Sequence, residues 1–297
     1  MPAMDDQVVP YLFEHASIRV QVVRLTRAWQ MLHRSHDLST GATHMLGRCA
    51  AATALLATTI KFEGRINVQL QSDGPLRLLL CQCTHELGLR GMARVADAAD
   101  LSEAAGRDSL QGLAGKGHIA ITIENTREDK RYQGITPIMN DSLASSFEYY
   151  FDQSEQLPTR LWLAADAQTA SGLMIQRMPG GDTREEDWER AQRLAETITA
   201  DELLGLDAQE VVRRLYHEED LRRLDGRPVR FYCRCARHSV SAVLQGLGEA
   251  EVQDILAEQG RVKVNCDFCG EEYLYDHVDA AALFADGTPQ QGPDRVQ

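Results

Sequence analysis

Four cysteines near the C-terminal end constrain this chain more than any other feature. They stand as Cys233-Arg234-Cys235 and, farther on, Cys266-Asp267-Phe268-Cys269-Gly270. Zinc takes four soft or borderline ligands in a tetrahedron, and four thiolates satisfy it. A Cys-x-x-Cys turn sets two sulfurs on one ion, and Gly270 just past it relieves backbone crowding. The expectation is one Zn2+ per chain, held by Cys233, Cys235, Cys266 and Cys269. Four protein ligands leave no open position for water, so a hydrolytic zinc is not expected. A segment this short has little core of its own, so metal-binding free energy becomes folding free energy. Oxidation of the thiolates would eject the metal and loosen the segment. A disulfide across one intervening residue is strained and readily re-reduced, which suggests reversible redox sensing. On spacing alone, a plain structural zinc module remains the default.

Composition narrows the setting. The chain has 297 residues, enough for two ordinary domains or for a large one and a small one. Apolar residues make up 43%, as in a globular protein with a real core. The net charge of -13 argues against a general nucleic-acid binder, which needs clustered Lys and Arg. Residues Met1–Glu14 lack a basic stretch followed by an apolar one, so no secretory signal is expected. No run of about 18 apolar residues occurs, so no membrane span is expected. The expected location is the cytoplasm, where thiols stay reduced. Seven cysteines there point to metal or redox chemistry rather than a disulfide framework.

The first part of the chain, residues 1–180, reads as mixed α and β. Met45, Cys49, Ala52 and Leu56 make one helical stripe between Thr43 and Thr59. Ile66, Val68 and Leu70 alternate as in a strand, Ser72-Asp73-Gly74-Pro75 signals a turn, and Leu76–Cys83 resumes the extended pattern. Ile119, Ile121 and Ile123 alternate again, with Arg131–Ile138 as a possible partner. Strands beside helices without strict alternation give an α+β class with a largely antiparallel sheet. Cys81 and Cys83 read as buried on one face of a strand, and Cys49 lies on the helix stripe.

Residues 181–226 follow a break at Pro179-Gly180-Gly181-Asp182 and carry both signs of charge densely. Trp188, Ala191, Ala195 and Ile198 share a helical face. Thr199 with Glu202, and Asp207 with Glu210, are capping-box starts. Narrow apolar stripes make such helices marginal without a surface to pack on. A solvated helical linker and a metastable element both fit. Residues 227–285 hold the cysteines, a helix expected over Glu249–Gln259 (with Val252, Ile255 and Leu256 on one side), and short strands over Arg261–Asn265 and Glu272–Tyr275. Residues 286–297 read as a frayed tail.

In this order the motifs resemble the redox-regulated 33-kilodalton heat-shock chaperones, cytoplasmic holdases of bacteria and some organelles. The resemblance spans nearly the whole chain. It includes Lys61-Phe62-Glu63-Gly64, Val68-Gln69-Leu70-Gln71 with Asp73-Gly74-Pro75, and Arg90-Gly91-Met92-Ala93-Arg94. It continues with Arg131-Tyr132-Gln133-Gly134, Ser154-Glu155-Gln156-Leu157-Pro158-Thr159, Arg214-Leu215-Tyr216-His217-Glu218-Glu219 and the paired cysteines. The resemblance implies a non-enzymatic, ATP-independent chaperone that is zinc-loaded and poorly active when reduced. It implies that oxidants with heat form the disulfides Cys233–Cys235 and Cys266–Cys269, release zinc and unfold the zinc segment with the linker. A homodimer then binds unfolded client proteins. The linker is expected to rest on the zinc segment and, once melted, to offer Leu203, Leu204, Val211, Val212 and Leu215 to clients.

Other signals are weaker. Gly112–His118 lacks the Gly-Lys-Ser/Thr ending of a phosphate loop and reads as a turn. His217-Glu218-Glu219 lacks the second histidine of a zinc protease. His33, His36 and Asp37 cluster without a nucleophile. Two other classes compete with the chaperone. A thiol-disulfide oxidoreductase would use Cys266 and Cys269 in a thioredoxin-like setting. A zinc-ribbon nucleic-acid module would use the local basic patch of Arg227, Arg230, Arg234 and Arg237.

Overall fold

The computed structural model describes residues 5–96, 110–138, 142–180 and 183–285. Contacts divide the chain into two units, Met1–Cys233 and Arg234–Gln297. The expected tail at 286–297, and Gly181 and Asp182 of the expected break, lie outside the described residues.

Two antiparallel-dominated sheets build the first unit. One runs β10 (Leu221–Arg223), β1 (Gln7–Phe13), β2 (Ile18–Leu25), β9 (Ala170–Arg177), β8 (Thr159–Ala165), with β11 (Arg227–Pro228) also paired to β1. The other runs β12 (Arg230–Phe231), β5 (Gly88–Val95), β4 (Leu76–Thr84), β3 (Gly64–Ser72), β6 (Gly117–Asn125), β7 (Lys130–Pro137). Among the described residues only β12 pairs parallel, beside β5. Burial alternates along β3, with Ile66, Val68 and Leu70 inside, as the sequence predicts. Gln71 pairs with Leu78 as the chain turns back through Ser72–Pro75.

Short helices α1 (Arg27–His33), α3 (Leu110–Ala114) and α4 (Leu143–Tyr150) join these strands, but α2 (Thr40–Thr59) organises them. Ser39 caps it, its hydroxyl accepting from the Ala42 N–H. The predicted stripe of Met45, Cys49, Ala52 and Leu56 is buried, but so are Leu46, Ala50, Ala51 and Leu55. The helix packs on β2, β8 and β9 of one sheet and on β3, β4 and β5 of the other. Small residues make that double contact possible. A Cβ on Gly47 would sit 2.5 Å from the Ala165 Cβ.

The charged stretch after residue 180 forms α5 (Glu185–Ala195), α6 (Ala200–Gly205) and α7 (Ala208–Tyr216). Both predicted capping boxes are present, Thr199 with Glu202 and Asp207 with Glu210. The resting surface of these helices within the first unit is a sheet face. Trp188, Ala191, Ala195, Leu203, Val211, Val212 and Leu215 share a core with Val9, Ile18, Val20, Val22, Leu173 and Ile175 of the first sheet. The helices therefore lean on the first unit's sheet. Their amphipathic faces find a wide, β-branched surface there. The Tyr216 hydroxyl donates to the Ala191 carbonyl at 3.1 Å, and Arg214 Nε donates to Glu202 at 3.0 Å, so the three helices also hold one another. The chain then supplies β10, β11 and β12 to the first unit. The contact division consequently falls at Cys233, past the Arg227 at which sequence composition starts the third segment.

The second unit contains α8 (Arg237–Leu247), α9 (Glu249–Gln259), the hairpin β13 (Val262–Asn265) and β14 (Glu272–Tyr275), and α10 (His277–Ala285). Its core is small: Leu244, Val252, Leu256, Val262, Tyr275 and Ala280. Polar contacts reinforce it around Arg237. The guanidinium lies over the Tyr275 ring at 4.3 Å and pairs with Asp279 at 2.8 Å, while the Tyr275 hydroxyl donates to the Arg237 carbonyl at 3.0 Å.

Candidate metal centre

Local backbone chemistry shapes the second cysteine pair. β13 ends at Asn265, which pairs with Glu272 of β14. Cys266 follows at once, its N–H donating to the Glu271 carbonyl at 2.9 Å. The Gly270 N–H donates back to the Cys266 carbonyl at 2.8 Å. This closes a tight turn in which Gly270 takes φ 71°, a left-handed conformation that favours glycine. The first pair comes from the stretch between β12 and α8.

The four Sγ atoms of Cys233, Cys235, Cys266 and Cys269 all lie within 4.8 Å of one another. Cys235 Sγ and Cys269 Sγ are 3.2 Å apart. Zinc–sulfur bonds of about 2.3 Å in a tetrahedron imply sulfur–sulfur edges of ~3.8 Å, so these thiols fit a Zn2+ ion. All four are half-buried, open enough to meet an oxidant. Tyr273 adds an outer partner. Its hydrogen bond with Cys235 pushes the phenol well above its ordinary range, with burial adding to the effect. Among the described residues the metal-competent group includes none of Cys49, Cys81 and Cys83.

Those three thiols sit in the core of the first unit, each 0% exposed. Cys81 and Cys83 share the inner face of β4, as their spacing predicts. Burial pushes Cys83 up to about 12, opposed only by the Arg227 charge. Burial also pushes Cys81 well above the ordinary thiol range, and its hydrogen bond with Cys49 adds to the shift. Buried thiols with almost no thiolate are poor nucleophiles.

The expected client-binding side chains are under cover in this structure. Leu203, Val211, Val212 and Leu215 are buried, and Leu204 is half-buried. The discounted motifs have ordinary roles. Lys116 N–H of the glycine-rich stretch donates to the Asp73 carboxylate at 2.7 Å, where a phosphate loop would receive an anion. His33 stacks on Trp29 with rings 4.2 Å apart, and His36 Nε2 lies 3.2 Å from the Gly91 carbonyl. Two of the four arginines of the basic patch are paired: Arg230 with Glu86 at 3.1 Å, and Arg237 with Asp279.

Comparison with known proteins agrees with this arrangement. The family model described as Hsp33 protein matches residues 6–276. A 33 kDa chaperonin of Shewanella sp. (strain MR-4) is 41% identical over 278 residues, covering 94% of this chain and 95% of the relative. That of Nitrosococcus oceani is 41% identical over 281 residues, covering 95% of each. That of Methylobacillus flagellatus is 39% identical over 294 residues, covering 98% of each. Among solved structures, the 33 kDa chaperonin (heat shock protein 33 homolog) from Thermotoga maritima has a similar fold. The TM-score is 0.77 at 21% identity, covering 94% of this chain and 97% of that one.

Proposed function

The chain belongs to the Hsp33 family, and on that premise we propose that it is a redox-regulated, ATP-independent holdase that binds unfolding proteins under oxidative and heat stress. The observation that carries the reading is the convergence of four thiols within 4.8 Å, three of them in a unit whose core has six buried apolar residues. A unit with so little apolar burial depends on its cross-link.

When bound, Zn2+ supplies that cross-link between the two cysteine pairs. In the proposed switch, peroxide takes two electrons from each pair. The thiolates of Cys233 with Cys235, and of Cys266 with Cys269, each form one disulfide, while each peroxide takes up the two electrons with two protons from solvent and becomes two waters. The sulfurs are then no longer ligands, and the second unit loosens. β12 ends at Phe231, just before Cys233, so this loosening frees the short edge strands β12, β11 and β10 in turn. Each of these is two or three residues long and has little to hold it. The helices before them then lift from the first sheet, and Leu203, Leu204, Val211, Val212 and Leu215 become available to clients. Surrounding charge keeps the opened segment in solution.

The active form in this reading is a cytoplasmic homodimer acting on unfolded client proteins, without ATP, nucleic acid, membrane or catalysis. No helix among the described residues is long and apolar enough to cross a membrane. An oxidoreductase reading is disfavoured because Cys266 and Cys269 lie in a turn between antiparallel strands. A helix N-terminus, which lowers a thiol pKa in thioredoxin-like sites, is not what holds them. Pairing of Arg230 and Arg237 with carboxylates disfavours a nucleic-acid surface.

The test measures zinc release and suppression of a client's thermal aggregation before and after peroxide at raised temperature. Protection is expected only after oxidation. Equal protection by the reduced, zinc-loaded form overturns the switch.

A further inference from the structure

The first unit holds a cleft of 670 Å³ that the chaperone reading does not use. It opens where the C-terminal end of α2 emerges between the two sheets. Arg19 of β2, Lys61, Arg127 and Arg227 line it, with Glu63 and Glu128 as the acidic members. Both acids are engaged: Glu63 pairs with Arg127 of the same cleft at 3.1 Å, and Glu128 with Lys130 outside it at 3.1 Å. Among the described residues, Arg19, Lys61 and Arg227 have no carboxylate partner. Three uncompensated cations in one cleft are unexpected in a chain of net charge -13.

The helix end does not account for them. Its macrodipole is equivalent to roughly half a negative charge. Thr58 and Thr59 hydroxyls already donate to the Leu55 and Leu56 carbonyls at 2.7 and 2.8 Å. Two buried polar atoms point to a missing ligand more directly. Arg19 Nε is buried without a hydrogen-bond partner, although its Nη2 donates to Gln176. Gln21 Oε1 is also buried without a partner, while Gln21 Nε2 donates to Thr58 Oγ1 at 2.9 Å. Orphaned groups of this kind are costly and call for an explanation. An adjoining apolar recess of 310 Å³ shares Arg19, Thr58 and Arg227 with the cleft and is lined by Val8, Pro10, Leu12 and Leu224.

We propose that this cleft binds a small phosphate monoester carrying a compact apolar group. Phosphate oxygens accept from Arg19 Nε and from the Arg227 and Lys61 cations. A monoprotonated phosphate also has one O–H to donate to Gln21 Oε1, which a carboxylate lacks. The apolar group occupies the recess beside Val8 and Leu224. The volumes suit a small-molecule site.

Calorimetric titration of the reduced, zinc-loaded full chain with phenyl phosphate, inorganic phosphate and benzoate tests this. Phenyl phosphate is expected to saturate at one per chain and to bind about tenfold tighter than inorganic phosphate, because the ring is buried. Benzoate is expected to bind more weakly than phenyl phosphate. Lys61 is exposed, so Lys61→Gln should fold normally; it and Arg227→Gln are each expected to weaken binding about tenfold. Arg127→Gln removes an already paired cation and is expected to change affinity less than about threefold. Unchanged unliganded melting temperatures establish that the variants are folded. No saturation up to about 10 mM, or wild-type affinity in both Lys61→Gln and Arg227→Gln, overturns the site. Equal affinity for phenyl phosphate and inorganic phosphate overturns the role of the recess.

Discussion

Cys235 Sγ lies 3.2 Å from Cys269 Sγ, although the two belong to different halves of the cysteine motif. The contact ties the stretch before α8 to the β13–β14 turn, so loss of either thiol opens the same link. Structural zinc in small peptides contributes an apparent ~10–16 kcal/mol, nearly all of it folding free energy. Cys269→Ser is therefore expected to lower zinc content well below one per chain and to melt the second unit. Metal analysis and near-ultraviolet circular dichroism, which reports Tyr273 and Tyr275, check it. A fully zinc-loaded, folded Cys269→Ser protein would remove the metal from its proposed role.

The linker helices give a second prediction, because their support is now identified. Leu215 is buried against the first sheet with Val211 and Tyr216 beside it. Truncation of a buried leucine costs about 2–5 kcal/mol through lost transfer and the cavity left behind. Leu215→Ala is expected to loosen α5–α7 while leaving the four cysteines and their zinc in place. Hydrogen exchange should accelerate over residues 185–216, and client protection should appear at lower peroxide than in the wild type. Faster exchange without earlier protection would separate linker release from activation.

What the sequence made legible follows the range of the forces involved. The capping boxes at Thr199 and Asp207 are local and could be read directly. So could β3 and β4, whose burial alternates over most of their length, and β6, whose Ile119, Ile121 and Ile123 alternate in sequence although Ala120 and Thr122 between them are buried too. β2 escaped because it is covered on both faces. Ile18, Val20 and Val22 meet the linker helices and alternate with Arg19 and Gln21, but Val23 and Leu25 meet the α2 side, so the alternation changes phase within the strand. β10, β11 and β12 are too short for any periodicity, and tertiary pairing alone makes them strands. The four cysteines that could hold a metal were legible because ligand geometry imposes spacing on the chain. The surface beneath Leu203 and Val211 was not, since an amphipathic face shows that it is covered but not by what. Arg19, Lys61 and Arg227 are scattered along the sequence and become a cleft only through the fold.

The three core thiols are expected to stay out of the redox chemistry while the first unit is folded. Cys49, Cys81 and Cys83 have no exposed surface, and burial pushes Cys83 up to about 12. At pH 8 such a thiol is overwhelmingly protonated and shielded, so both thiolate fraction and access are low. After chelation of the metal, a chromogenic disulfide reagent should titrate four thiols quickly and the other three only in denaturant. Peptide mapping after peroxide at ambient temperature should find no disulfide among Cys49, Cys81 and Cys83. Rapid reaction of more than four thiols in the native protein would show that α2 and β4 open readily.

The last prediction concerns acid. The Glu202 carboxylate accepts from the Thr199 N–H at 3.0 Å and from Arg214 Nε at 3.0 Å. The Thr199 backbone hydrogen bond is the main cause that holds its pKa below the ordinary 4.5, with Arg214 adding to it. A pKa lowered in the folded state means that the unfolded chain binds more protons between the two values, so stability there rises with pH. The contribution is fully present above about 4.5 and is lost as pH falls through the folded value. Asp187, held down by Arg184, titrates in the same direction, so the linker carries more than one acid-sensitive contact. The protection factors of the α6 amides, taken relative to the intrinsic exchange rate at each pH, are expected to fall on acidification below pH 4.5 in the wild type. Glu202→Gln keeps a side-chain acceptor for the capping box but removes the charge that titrates. Its α6 protection should start lower and fall less steeply over the same pH range. Parallel curves for the two proteins would show that Glu202 does not couple linker stability to pH, leaving Asp187 as the group to vary next.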